Sequence, residues 1–159
     1  MTEQVDVQDL FAVNHDPRDI VATIHAAFEE YRGVLKPESG ALGETVESIT
    51  AKAENGVILG IVKDQHVAAC VCATVKDGLL YLDRLAVHPR QRRRGYAEVL
   101  VQAVETEAAR RDLRGVSLGV RLALRKNIAL FERLGFREIG RSTHDGYDAP
   151  TSMDILKWL

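Results

Sequence analysis

Cysteine is scarce in this sequence: Cys70 and Cys72 are the only two among 159 residues. Two positions apart on a strand, they share one face and offer no basis for a disulfide framework. A lone C-x-C is also a weak metal motif, so both read as reduced core residues of a cytosolic protein. An excess of positive charge is missing too. The formal net charge is -2, whereas a general nucleic-acid binder carries a basic balance. No apolar run approaches the roughly 20 residues of a membrane span. The opening segment, MTEQVDVQDL, is polar and acidic, unlike a secretory signal. Neither G-x-x-x-x-G-K-[S/T] nor G-x-G-x-x-G occurs. Internal repeats, low-complexity tracts and long linkers are lacking as well. The expectation is a cytoplasmic protein whose residues 1–159 make one domain.

What is present is enough for a core. Hydrophobic residues make up 46% of the chain, so staples are not needed. Residues 5–13 predict a first strand. Asp16-Pro17 opens a helix, because aspartate caps and proline suits the first turn. Its apolar face is Ile20, Ile24, Ala27, Phe28 and Tyr31, and Gly33 ends it. After a loop with Pro37, Gly40 and Gly43, a second helix carries Val46, Ile49 and Ala53 as far as the Asn55-Gly56 turn. Strands follow at about 56–63, 66–76 and 79–87, with tight hairpin links at Asp64-Gln65 and Asp77-Gly78. The middle one is almost continuously apolar and should be covered on both faces. Ala97, Leu100, Val101, Val104 and Ala108 then line a long helix. A strand over 116–122 follows. Next comes a helix holding Ile128, Phe131 and Leu134, stopped by Gly135, and then two strands around a loop at 144–150. The order β-α-α-β-β-β-α-β-α-β-β is α/β, a mixed central sheet flanked by helices.

Between the third of these strands and the long helix stands a cluster of charge. Four of the five residues from Arg90 to Arg94 are arginine, and Gly95 comes next. The first N–H groups of a helix starting there have no internal partner and point outward with the positive end of its dipole. That is a ready anion site. Gly95 lets a phosphate approach the backbone, and arginine side chains add bidentate hydrogen bonds. Residue chemistry alone leaves three partners open: solvent around a basic turn, a phosphate held by amides from Arg93 to Ala97, or a nucleic acid. Tyr96 is the only aromatic nearby, which offers little for stacking a single strand.

Arg92-Arg93-Arg94-Gly95-Tyr96-Ala97 fits the pattern [Q/R]-x-x-G-x-[G/A], LYLDRLAVHP precedes it, and NIALFERLGF lies downstream. In this order the segments resemble the GNAT superfamily of acetyl-coenzyme-A-dependent N-acetyltransferases, and the element order agrees over nearly the whole chain. The resemblance implies acetyl-CoA as acyl donor and an amine as acceptor, with no nucleic acid, membrane or metal, and a homodimer as one arrangement. It implies that amides of Arg93, Arg94, Gly95, Tyr96 and Ala97 hold the pyrophosphate, while arginine side chains, Arg92 among them, reach for the 3′-phosphate. Backbone groups of Leu85, Ala86 and Val87 would pair with the pantetheine arm. A bulge there would splay the strand and aim an N–H at the thioester carbonyl. Asn127 would lie near the arm, although the asparagine of many members falls a turn earlier, at Leu124.

Amide formation needs an amine freed of its proton and a thiolate able to leave. Many family members place a tyrosine on the last helix for the second task, and here the matching residue is Phe131. Some carry a glutamate on the fifth strand, where this chain has Gly119. Neither group can be carried over. Phe131 is expected beside the thioester end of the donor, or simply in the core. Asp83 could serve as base, or pair with a neighbouring arginine. His144 and Tyr147 could exchange protons from the loop between the last strands, or form a surface turn. His88 reads as a turn residue. His15, His25 and His66 have no neighbouring ligands, so no metal is expected. Tyr31, Ser39 and Glu44 are candidates for the acceptor side, with Glu44 equally readable as surface helix charge. The expected function is transfer of an acetyl group from acetyl-CoA to a primary amine of a small molecule or peptide terminus, by direct attack in a ternary complex. The alternative is a catalytically lapsed acyl-CoA-binding sensor or regulatory module.

Overall fold

Two-residue turns build the first half of the sheet. Asp64 and Gln65 have φ of 51° and 70°, and Asp77 and Gly78 have 54° and 76°. Paired left-handed residues give the mirror-image turn that matches strand twist. They link β2 (Gly56–Lys63), β3 (His66–Lys76) and β4 (Leu79–Val87) into an antiparallel run. The computed structural model describes residues 5–159.

The remaining strands are β1 (Gln8–Asp9), β5 (Gly115–Arg121), β6 (Arg137–Ser142) and β7 (Ser152–Trp158), and the helices are α1 (Pro17–Phe28), α2 (Val46–Glu54), α3 (Tyr96–Arg110) and α4 (Arg125–Arg133). All seven strands form one sheet in the order β1-β2-β3-β4-β5-β7-β6. The α/β order and mixed sheet expected from the sequence are those observed.

The first strand is far shorter than the 5–13 segment predicted. Only Gln8 and Asp9 pair, with Gly60 and Leu59. Asp9 then turns the chain: its carboxylate accepts from the Ala12 N–H at 3.1 Å and its carbonyl from Val13 at 3.1 Å. Leu10 is driven fully into the core, and a Cβ on Gly60 would come within 2.5 Å of its Cδ1. Local side-chain bonding therefore overrides the strand pattern.

Helices cover both faces. Ile20 and Ile24 of α1 and Ile49 of α2 pack with Ile58, Cys70, Cys72 and Ala86. On the other face Leu100, Val101 and Val104 of α3 and Phe131 of α4 pack with Val71, Ala73, Leu82 and Leu118. From Cys70 to Ala73 successive residues of β3 thus enter opposite cores, which is why the strand is apolar from Val67 to Ala73. Burial pushes the Cys70 thiol up to about 12, so it stays protonated and inert.

The centre of the sheet is its least regular part. Cys72 of β3 faces Asp83, but Cys70 faces Ala86. One residue, Val71, therefore opposes two, Arg84 and Leu85, and Arg84 takes φ 52°. This is a β-bulge with a left-handed residue, which bends the bulged strand. β4 and β5 run parallel and pair only at Leu80–Val116 and Tyr81–Ser117. Past Tyr81 they part.

Candidate active site

A cleft of about 750 Å³ opens where β4 and β5 separate. Tyr81, Asp83, Leu85 and Val87 line it from β4, Gly119 and Arg121 from β5, and Asn127 and Phe131 from α4. Phe28, Glu30, Tyr31 and residues 38–40 close one side, and Ser142, His144 and Asp154 the other. Arg121 straps the near loop down: its guanidinium donates to the carbonyls of Pro37 at 2.9 Å and Glu38 at 3.2 Å.

At one end of the cleft stands the start of α3. Its N-cap, Gly95, has φ 77° and no side chain to cap the helix. The first intrahelical bond runs from the Val99 N–H to the Gly95 carbonyl at 3.1 Å, which leaves the amides before Val99 without helical acceptors. A Cβ on Gly95 would meet nothing within 4 Å. Glycine is needed for the left-handed backbone, and the space in front of the helix is open. Arg93 and Arg94 are exposed beside it.

Residues 20–136 match the family model described as Acetyltransferase (GNAT) family. The chain belongs to that family. No curated protein sequence matches it. Among solved structures it is similar to the ribosomal-protein-S18-alanine N-acetyltransferase from Escherichia coli, with 19% identity, TM-score 0.74, and 98% of this chain and 94% of that one covered. It is also similar to the PaiA N-acetyltransferase from Thermoplasma acidophilum, solved in complex with coenzyme A, with 14% identity, TM-score 0.79 and coverage of 99% and 100%. Ard1 from Thermoplasma volcanium gives 15% identity, TM-score 0.73 and 97% of each chain. At these identities the likeness shows the fold alone.

Within this acetyltransferase the predicted site residues separate into groups. Leu85, Val87, Arg92, Ala97, Asn127 and Phe131 all line the cleft. Ala86 points away into the α1 core, so only its backbone can serve the cleft. Arg92 bridges the arginine turn to the end of α1 and the segment after it, donating to the Ala27 carbonyl at 3.2 Å and to Glu30 at 2.7 Å. The Tyr96 ring is buried beneath the Lys63 ammonium, 5.6 Å from its centroid, so only the Tyr96 amide is available to an anion. Phe131 is 4% exposed and stacks edge-on against Phe136 at 5.5 Å.

On the acceptor side Tyr31 and Ser39 line the cleft. Burial, aided by the Glu30 charge, raises the Tyr31 phenol above its ordinary value. Ser39 uses its hydroxyl to cap a short turn, accepting from the Ala41 N–H at 3.2 Å. Glu44 is not helix surface charge: it is 6% exposed. Its carboxylate accepts from Ser48 at 2.6 Å, Lys52 at 2.7 Å and Arg84 at 2.6 Å. Burial alone would raise this carboxyl, but the hydrogen bonds from Lys52, Ser48 and Arg84 win and hold it at about 2. Lys52 also donates to Asp83 at 2.7 Å. The partner of Asp83 is therefore this lysine, not an arginine, and its Oδ1 is buried without a hydrogen bond.

His144 lines the cleft, and Thr151 bonds both its backbone N–H and its Nδ1. Tyr147 stands outside the lining, 39% exposed, at the end of a turn closed by its N–H on the His144 carbonyl at 3.1 Å. His88 caps the arginine turn, accepting from the Arg90 N–H at 3.2 Å. Sequence reasoning missed Lys52, Arg84, Arg121 and Asp154. Each bonds a partner a dozen or more positions away, and no local motif marks it.

Proposed function

We propose that this protein transfers the acetyl group of acetyl-CoA to a primary amine on a small molecule or a peptide terminus, by direct attack within a ternary complex. The observation that carries this reading is the Arg84 bulge beside the parted β4 and β5, set in line with the open N-terminus of α3. An anion at Arg93 to Ala97 would meet free amides and a helix dipole. A pantetheine arm extended from there would run along Leu85, Ala86 and Val87, which have no strand partner on the β5 side. Its thioester would then reach the bulge, with Phe131 and Asn127 alongside. Arg92 is a poor phosphate ligand in this reading, because Glu30 and the Ala27 carbonyl hold it. Arg93 and Arg94 remain for that role.

The family membership supports acyl transfer, and the coenzyme A bound to the Thermoplasma acidophilum relative supports the donor. The acceptor class is supported by the cleft's size and by its carboxylates outside ion pairs, Glu38 and Asp154, which suit a cationic amine. Incubation with acetyl-CoA and a panel of amino acids, polyamines, aminoglycosides and peptides, followed by free thiol, tests it. Thiol release with at least one amine is the expected result. No release with any amine refutes transfer. Tight acetyl-CoA binding by calorimetry alongside such inactivity would favour the sensor, the alternative that Phe131 and Gly119 motivate.

A further inference from the structure

The cleft floor holds a carboxylate that no cation claims. Glu30 is paired with Arg92 at 2.7 Å and Asp83 with Lys52 at 2.7 Å. Glu38 also lacks an ion pair among the described residues, but it sits on an exposed loop, away from the strands, with one oxygen accepting the Gly33 N–H at 2.7 Å. Asp154 differs. It projects from β7, forms no ion pair among the described residues, and accepts a single hydrogen bond, from the Ser142 hydroxyl to Oδ2 at 2.7 Å.

Its strand neighbours explain how it stays open. Asp154 is paired with Gly119 on β5 and with Gly140 on β6. A Cβ at Gly140 would lie 3.8 Å from Oδ2. A Cβ at Gly119 would lie 3.8 Å from Oδ1 and 3.5 Å from the Tyr81 hydroxyl. Side chains directly across a strand pair normally cover each other. Here both opposing positions are bare, so the carboxylate shares an uncovered gap with a phenol. Burial first, then the charges of Asp83 and Asp154, raises that phenol above its ordinary value, which keeps Tyr81 a hydrogen-bond donor. Arg121 and His144 line the same cleft.

We propose that Asp154 is the catalytic carboxylate that binds the acceptor amine and takes its proton, in the gap left by Gly119. The inference rests on amine acetylation being the reaction. The amine's lone pair forms the bond to the thioester carbonyl carbon. As it does so the nitrogen becomes acidic, and Oδ1 of Asp154 takes one N–H proton. The C–S bond breaks with its electron pair on sulfur, and the proton passes through solvent to the thiolate. The products are the amide and free coenzyme A, and the carboxylate is restored. A carboxylate is a weak base toward a free ammonium, whose pKa is about 10.4, but an adequate one toward a nitrogen already bonded to the carbonyl.

The test compares Asp154→Asn with the unaltered protein on the best amine of the panel, alongside acetyl-CoA calorimetry. We expect kcat to fall about 100-fold or more and acetyl-CoA affinity to stay within about twofold. A kcat within about threefold of the unaltered protein would overturn the role. So would a parallel loss of acetyl-CoA affinity, which would make Asp154 a support for the donor site. A second variant, Gly119→Val, leaves the carboxylate in place and fills the gap. It should raise the amine KM about tenfold or more with acetyl-CoA affinity unchanged, and an unchanged KM would count against the gap as the amine site. An unaltered protein that binds acetyl-CoA but acetylates no amine would refute the proposed function itself, a result distinct from failure of either variant.

Discussion

Glu44 is where the protein's stability should depend most steeply on acid. The buried carboxylate is held at about 2 against an ordinary 4.5. A shift of that size is worth about 3 kcal/mol, at about 1.4 kcal/mol per unit. Because the folded value is depressed, the contribution is complete above about pH 5 and is lost as pH falls from 4.5 towards 2. The Glu44→Gln variant removes it at every pH. Arg84 then loses its 2.6 Å carboxylate partner, while Lys52 keeps Asp83. Breaking a buried pair by removing one member costs about 3–5 kcal/mol. Urea unfolding between pH 7 and pH 3 is the assay. At pH 7 the variant should be about 3 kcal/mol less stable, and the two curves should converge toward the acid end. A loss under about 1 kcal/mol at pH 7, or a constant gap down to pH 3, would refute the assignment of this energy to Glu44. The variant should also weaken the bulge, because Glu44 anchors the side chain of its left-handed residue.

Three further outcomes follow from the geometry. Gly95→Val forces a β-branched residue to φ 77°, which should cost about 1–2 kcal/mol in thermal unfolding and weaken acetyl-CoA binding about tenfold by calorimetry. Cys70 and Cys72, both raised by burial, should resist a thiol-specific reagent in the native protein and react on denaturation; rapid native labelling would contradict their place in the α1 core. Arg121→Ala frees the carbonyls of Pro37 and Glu38, so amine KM should change several-fold while acetyl-CoA affinity does not, measured by steady-state kinetics and calorimetry.

Local chemistry was legible in the sequence, and distant pairing was not. Asp64-Gln65 and Asp77-Gly78 announced hairpins because Asp and Gly are residue types that left-handed turns prefer, and both pairs take that conformation, Gln65 included. The two-sided burial of β3 followed from its unbroken apolar run. The start of α3 was visible because Gly95 and the arginines sit side by side. By contrast, residues 10–13 carry a strand-like pattern that one carboxylate, Asp9, bends away. Glu44 looked like a surface charge because its partners Lys52 and Arg84 are 8 and 40 positions away. Asp154 was missed because its openness depends on which residues face it across the sheet, Gly119 and Gly140, and strand register is not written locally.

The parting of β4 and β5 also bears on how the molecule holds together. Only Leu80–Val116 and Tyr81–Ser117 join the antiparallel run β1–β4 to the trio β5, β7 and β6. A sheet interrupted in this way behaves as two panels meeting at a short seam, with α3 and α4 packed across one side. An extended ligand that lends its own amides and carbonyls to the free edge of β4 works as a splint. It adds hydrogen bonds where the ladder is thinnest, so occupancy should slow amide exchange on both panels at once and raise the temperature at which they separate.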